Sequence, residues 1–508
     1  MIIAGFDRNF KRFNTIRRFA VKKRMLSLFL AALLVTALLT ACGSSGDSAD
    51  PGSAPGSEPQ AEAEQPAETE AADAVVPLPD RSFGGQTVTA LIRTEWAYEF
   101  LPDEGGSDTV VSDAIRERNN RVEEKYDVKL NFIDTPGDWG NKDNFINAVH
   151  NSVLAGDGEY DFVSGYQATI VQNVTMGDFL NFLDLPYIDL SSAWWTQKGV
   201  DALTVNNRCF IATGDITVTM LEYLYCIYYQ KELASANGLP DLYELVDSGK
   251  WTHDKLAELI TGTSLDADGD GSMTDADRFG LISGGDYLRQ YLVAYDTPVV
   301  SVKEDGTPYL SWNTEHTVSV VEKLVSLYDN SGETFVSSDK AFLTNLFRNG
   351  QALFATGLFG QAASMRDMEA DFGILPYPKF SEEQKDYLTS TNNNVSMICV
   401  PITCRDTDGT AFVIEALCRE STDTVSAAFY DTALKSKYAR DDDSARMIDL
   451  IRNSLSFDFG WVYSTVLNLG NSYQMFVEES NTDFASYYAT RENEYAAGLD
   501  NIKATYFD

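Results

Sequence analysis

The chain has 508 residues, 44% of them hydrophobic, 12% aromatic and 23% charged, which describes a globular protein with a sizeable core and excludes a collagen, a long disordered chain and a polytopic membrane protein. With 39 Lys+Arg against 76 Asp+Glu the formal net charge is -37, and a surface this acidic repels phosphate backbones, so nucleic acid is no partner. Three histidines, no CxxC and no HExxH leave little material for a zinc enzyme or a histidine-based triad.

Residues 8–24 carry eight positive charges, and residues 25–39 are an uncharged, predominantly apolar run. Fifteen residues fall short of the roughly 20 that span a bilayer and fit the apolar region of a secretory signal peptide. The run ends in Leu39-Thr40-Ala41-Cys42, followed by Gly43-Ser44-Ser45-Gly46. This resembles a bacterial lipobox, which implies cleavage before Cys42, lipidation of its thiol and anchoring to the outer face of the cell membrane. An ordinary signal peptide with a chance cysteine is the plainer alternative. Removing residues 1–41 takes away eight basic residues and Asp7, leaving 31 basic and 75 acidic side chains and a net charge of -44. Residues 43–82 hold six prolines and nine acids without periodicity, so with Cys42 they read as an acidic tether, 42–82, of roughly 35 Å r.m.s. reach.

Residues 83–508 form the folded part. QTVTALI at 86–92 predicts a first strand. Ala114, Ile115 and Val122 share one face of a helix over 110–126. Val128, Leu130 and Phe132 alternate as a second strand, Phe145, Ile146, Val149 and Val153 mark the next helix, and YDFV at 160–163 is a third strand. This βαβαβ order predicts an α/β fold with a parallel sheet covered by helices on both faces. Ligands in such sheets bind beyond the carboxyl ends of the strands, which points to the loops 93–100, 164–168 and 213–217.

NNRVEEKYD at 119–127, GEYD at 158–161, CFIATGD at 209–215 leading to YYQKEL at 228–233, GKWTHD at 249–254, FRNGQAL at 347–353 and DFGILPYPK at 371–379 follow one another in an order that resembles the extracellular solute-binding proteins of bacterial ABC transporters, in their sugar-binding branch. Gln230 stands where that family commonly has Asn. The resemblance implies a periplasmic-binding-protein type II fold, two α/β lobes joined by hinge segments. Crossings are expected near 214–226, 380–396 and 455–460, giving a first lobe of about 83–215 and 395–455 and a second of about 225–385 and 460–508. It further implies a monomer without catalysis that captures a sugar or oligosaccharide by hinge closure and delivers it to a membrane permease.

Sugar rings present apolar faces that stack on aromatic rings, while their hydroxyls need paired donors and acceptors. Trp96 and Tyr98 in the first post-strand loop, Tyr166 and Gln167 in the third, and Trp461 and Tyr463 past the last crossing are therefore candidate ligand contacts. Asp215, Glu222, Tyr223, Asp286, Tyr287, Arg289 and Asn394 lie near the expected hinge or in loops of the second lobe, where a carboxylate or guanidinium can bind two hydroxyls at once. Turn chemistry and core packing are the plain alternatives for each. Trp194, Trp195, Trp251 and Trp312 read as packing residues.

The run 266–277 has Asp266, Asp268, Asp270 and Asp277 at positions 1, 3, 5 and 12 of a twelve-residue loop, with Gly271 at 6, Ser272 at 7 and Thr274 at 9. Hard oxygen ligands at this spacing predict a structural Ca²⁺ site, with Asp in place of the usual Glu at 12. A helix precedes the loop and a strand follows it, so this is half an EF-hand. An acidic surface turn is the alternative. Cys209, Cys226, Cys399, Cys404 and Cys418 are an odd number in apolar stretches, which favours buried free thiols and leaves a Cys399–Cys404 pair open. Two further functions stay open: the acidic surface suits a polyamine or other cation as solute, and plentiful carboxylates suit a surface glycoside hydrolase. A calcium-dependent scaffold would need a second tandem loop, and the chain has one.

Overall fold

The computed structural model describes residues 77–102, 109–329, 332–430 and 441–507. The apolar run 25–39, Cys42 and most of the tether lie outside them. Among the described residues no helix is long and apolar enough to cross a membrane.

Strand β1 (Gln86–Arg93) leads through a helix (Thr109–Tyr126) to β2 (Val128–Thr135), then through a second helix (Lys142–Ala155) to β3 (Phe162–Tyr166). β1 lies between the other two and runs parallel to both, in register from Gln86 opposite Val128 to Arg93 opposite Thr135. The apolar periodicity sets the packing: Ala114, Ile115 and Val122 of the first helix and Phe145, Ile146 and Val149 of the second are buried.

The second sheet is built from β4 (Tyr225–Gln230), β5 (Phe279–Ser283), β8 (Thr334–Val336), β9 (Ala352–Leu358) and β10 (Phe372–Leu375), in the order β10-β4-β9-β5-β8. A hairpin of β6 (Val300–Val302) and β7 (Pro308–Leu310) stands apart from it. The last strand, β11 (Ser396–Cys399), returns to the first sheet and pairs antiparallel with β3. Both sheets are thus mixed rather than parallel. The antiparallel members follow from the path of the chain: β4 and β11 enter their sheets from the opposite lobe, so each meets its neighbours head-on.

Ala212 pairs with Ile398 in the first lobe, and Leu224 pairs with Thr391 just before β4, so residues 213–224 and 376–395 run between the lobes side by side. Thr389 also pairs with Leu455, which brings a third segment into the junction. The helix Asp442–Asn453 differs from expectation. It packs on β10 of the second lobe through buried Met447, Ile448 and Ile451, and Tyr243 and Ser444 share a 2.9 Å hydroxyl hydrogen bond. The chain has therefore left the first lobe before residue 442. The 3.6-residue period of this helix shows that it needs a sheet, and not which sheet covers it. The C-terminal helix Phe484–Phe507 contacts helices of both lobes.

The five described cysteines are free and buried, and Cys404 lies against the Thr410 hydroxyl at 3.3 Å rather than against Cys399. Trp194 and Trp195 both donate their indole N–H groups to the buried carboxylate of Glu415, at 2.9 Å each, and Trp251 and Trp312 are fully buried.

Candidate functional site

Between the lobes lies a cavity of about 660 Å³. The first lobe contributes Trp139 and Lys142 from beyond β2, Tyr166 from the end of β3 and Gln172 from beyond it. The second contributes Asp286 and Arg289 from the turn after β5, and Lys340 from the helix Lys340–Arg348 after β8. Asn393 comes from the junction, and Trp461, Thr465, Asn468, Asn471 and Gln474 from the C-terminal segment. Four strands thus feed the cavity from their carboxyl ends, where the peptide N–H groups and side chains of the following turns are free to face a ligand.

Arg93, the last residue of β1, organises the first wall. It is 1% exposed; its guanidinium lies 4.2 Å from the Trp96 ring centre and 5.1 Å from that of Tyr166. It donates to the Asn394 carbonyl and the Ser396 hydroxyl, each at 2.8 Å, fastening the loop after β1 to the returning segment. Buried Glu99 completes the group, accepting from the Thr219 N–H at 2.9 Å, the Thr219 hydroxyl at 2.7 Å and the Ser396 hydroxyl. Burial raises the Glu99 carboxyl; the Ser396 hydrogen bond and the Arg93 charge oppose this. Burial likewise lowers the Arg93 guanidinium, against the Glu99 charge.

On the facing wall Asp286 is held by Lys340 at 2.6 Å, and the Asn392 amide donates to it at 2.5 Å. Tyr225 donates to the Asp286 carbonyl at 3.0 Å, so the turn after β5 is bonded to the junction. Arg289 donates to the Asn471 amide oxygen and lies 5.5 Å from the Trp461 ring centre. Trp461 sits in the short helix Phe459–Val462, whose N-terminus is capped by Asp458.

Of the candidates from the sequence, Tyr166, Arg289 and Trp461 meet on the cavity wall, with Asp286 beside them. Trp96, Tyr98, Glu222 and Tyr223 form a half-buried group next to it: Trp96 donates to the Tyr223 hydroxyl at 3.2 Å and Tyr98 to Glu222. These bonds tie the first post-strand loop to the first crossing. Asn394 is half-buried and offers Arg93 its backbone carbonyl. Gln167 is 1% exposed, and its side-chain oxygen lacks a partner.

Three candidates turn elsewhere. Asp215, half-buried, accepts from the exposed Thr422 hydroxyl at 2.7 Å on the first lobe, away from the cavity. Tyr287 is buried against the second sheet, where Gln361 donates to its hydroxyl at 2.6 Å. Tyr463 is fully buried, its hydroxyl 2.7 Å from that of Tyr506. Closeness to a crossing in sequence does not fix the direction of a side chain, and each of these has a protein partner. Conversely, Trp139, Lys142, Lys340, Asn468 and Asn471 were not anticipated. The strand-end rule extended to the loop after β2 finds Trp139, which is 58% exposed.

The loop 266–277 lies away from the cavity and is closed by pairing of Leu265 with Arg278. Carboxylate oxygens of Asp266, Asp268 and Asp270 converge within 4.8 Å of one another. Asp277 stands apart from this group: it is fully buried, and its two oxygens accept from the N–H groups of Ala267 at 2.8 Å and Thr274 at 2.7 Å. Ser272 and Thr274 are exposed, Ser272 donating its N–H to Asp270 at 2.7 Å.

No protein-family model matches the chain, and no curated protein does. Solved structures do. The cyclic alpha-maltosyl-1,6-maltose binding protein from Arthrobacter globiformis is similar at a TM-score of 0.53 and 14% identity over 83% of this chain and 99% of that one. UgpB from Mycobacterium tuberculosis, in complex with glycerophosphocholine, gives 0.53 and 14% over 77% and 95%. The GacH receptor of Streptomyces glaucescens, solved unliganded and with acarbose, gives 0.50 and 12% over 84% and 99%. What is shared at such identities is the architecture: this chain has the two-lobed periplasmic-binding-protein type II fold.

Proposed function

We propose that the protein is an extracellular binding lipoprotein that captures a carbohydrate, an oligosaccharide in particular, by closure of its two lobes and passes it to a membrane permease. The observation that carries this reading is the cavity of about 660 Å³ between the lobes, with the rings of Trp139, Tyr166 and Trp461 set among amide and hydroxyl side chains. Such a wall serves both the apolar faces and the hydroxyls of sugars, and the volume falls within the roughly 300–1,000 Å³ of small-molecule sites. Two of the proteins of like fold are described with saccharide-type ligands and one with glycerophosphocholine.

A thermal-shift screen of the mature chain against saccharides tests the proposal. A ligand that binds the folded state alone at 100 times its dissociation constant stabilises by about 2.7 kcal/mol. A saccharide that raises the melting temperature and is recovered intact supports capture, whereas its hydrolysis would turn the reading to a glycosidase. For the anchor, Cys42→Ser is expected to release the protein from the membrane fraction. We also propose a structural Ca²⁺ at Asp266, Asp268 and Asp270, with Asp277 shaping the loop from behind. EDTA is then expected to lower the melting temperature of the native chain and to leave Asp268→Asn unchanged. Equal melting with and without EDTA would remove the ion.

A further inference from the structure

In a chain with 76 acidic and 39 basic residues, a wall drawn at random from its charged side chains would be acidic about two to one. The cleft inverts that ratio: its charged lining is Lys142, Arg289 and Lys340 against Asp286 alone. Asp286 is already matched by Lys340 and by the Asn392 amide. Lys142 has its sequence neighbour Asp143 at 3.3 Å, a pair open to solvent and weak for that reason. Arg289 is the unbalanced group. Among the described residues no carboxylate lies within ion-pair distance of it; its head meets a neutral amide oxygen of Asn471, and its buried Nε has no acceptor. The side chain is half-buried with its Nε shut off from water, and a carboxylate or sulfate oxygen pair matches the donor fork of a guanidinium. The low-dielectric walls of the cleft concentrate this field inside an otherwise acidic surface.

We propose that the captured solute is anionic: an acidic saccharide whose carboxylate or sulfate ester pairs with Arg289, with its sugar rings against Trp139 and Trp461. The inference rests on the reading of the cleft as a saccharide site. It also turns the solute away from polyamines, since the acidity lies on the outer surface and the wall that would touch the ligand is cationic.

Calorimetric titration of the mature chain with maltotetraose, tetragalacturonate, a chondroitin sulfate disaccharide and inorganic sulfate tests it. One of the two acidic saccharides is expected to bind at least about tenfold more tightly than maltotetraose, roughly the worth of one charge-assisted contact. Preference for the galacturonate identifies a carboxylate; preference for the disaccharide, which carries a uronate carboxylate beside its sulfate ester, identifies the ester when the desulfated disaccharide loses it. Arg289→Gln is expected to erase the preference, weakening the favoured acidic saccharide at least about tenfold more than it weakens maltotetraose, and Lys142→Gln, on the opposite wall, to reduce it. Inorganic sulfate binding as tightly as the saccharides would overturn the inference, as would a loss in Arg289→Gln shared equally by neutral and acidic sugars. Maltotetraose binding as tightly as the tighter of the two acidic probes overturns the charge assignment and leaves saccharide capture standing. Binding of no saccharide overturns both. If Arg289→Gln does not fold, the ranking of probes on the native chain and the Lys142→Gln comparison decide.

Discussion

Asp458 gives a direct check on how the cleft is held together. Its carboxylate accepts from the Trp461 N–H at 2.5 Å and the Val299 N–H at 3.0 Å. One side chain thus caps the turn that carries the cleft tryptophan and fastens it beside β6. Burial pushes this carboxyl from 3.8 up to about 7, against the backbone hydrogen bonds, which favour the anion. The folded protein therefore holds a proton that the unfolded chain releases from about pH 4 upward. Its contribution to stability is fully present below about pH 4 and is lost as the pH rises through about 7. At about 1.4 kcal/mol for each pH unit, that displacement corresponds to about 4 kcal/mol. Asp458 is only half-buried, and its carboxylate borders a second cavity, of about 200 Å³, that water can enter. Screening reduces the figure by roughly half, to about 2 kcal/mol. Asp458→Asn keeps a capping oxygen and removes the titration, at a pH-independent cost of about 1 kcal/mol for the second N–H it cannot serve. Urea midpoints of both proteins from pH 4.5 to 8 are the assay. The advantage of the native chain over the variant is expected to shrink by about 2 kcal/mol across that range. A difference that stays constant, or widens with pH, would refute the reasoning.

Two further substitutions separate binding from stability. Trp139→Ala, at a 58% exposed position, is expected to weaken saccharide binding about tenfold with the melting temperature unchanged; Trp461→Ala, at 7% exposure, is expected to lower both in the same titrations and melts. Glu415→Leu strands the Trp194 and Trp195 indole N–H groups and removes the carboxylate that lies 3.0 Å from Arg419 Nε. A loss of about 3–5 kcal/mol in chemical unfolding is expected, with ligand affinity of the folded fraction retained.

The first lobe was legible because its signals are local. The run QTVTALI alternates for a strand, and Ala114, Ile115 and Val122 repeat at helical spacing, so each element declares itself within a few residues. Strand order and direction are not local. β11 pairs with β3 from some 230 residues away, in register from Ser396 opposite Tyr166 to Cys399 opposite Val163, and no pattern within SMIC announces an antiparallel partner. The helix Asp442–Asn453 failed for the same reason: its buried stripe fits either sheet, and only the three-dimensional path selects β10.

The cleft divides along similar lines, and the division has a physical cause. Tyr166 was found because it ends a strand, and a residue at that point must leave the sheet toward the loops. Trp461 was found because it follows a crossing, and its direction is enforced by the Asp458 cap rather than by its own neighbours. Tyr463, two residues on, obeys the same positional argument and yet points to Tyr506, because a helical turn rotates side chains by about 100° per residue and carries it to the opposite face. Lys340 and Asn471 reach the wall from a helix start and from a late loop, and nothing in their sequence neighbourhood marks them. A two-lobed cleft assembles its wall from segments far apart in the chain, so composition at the surface says little about it. The net charge of -37 pointed toward cationic solutes, while the side chains that face the cavity carry three positive charges and one negative.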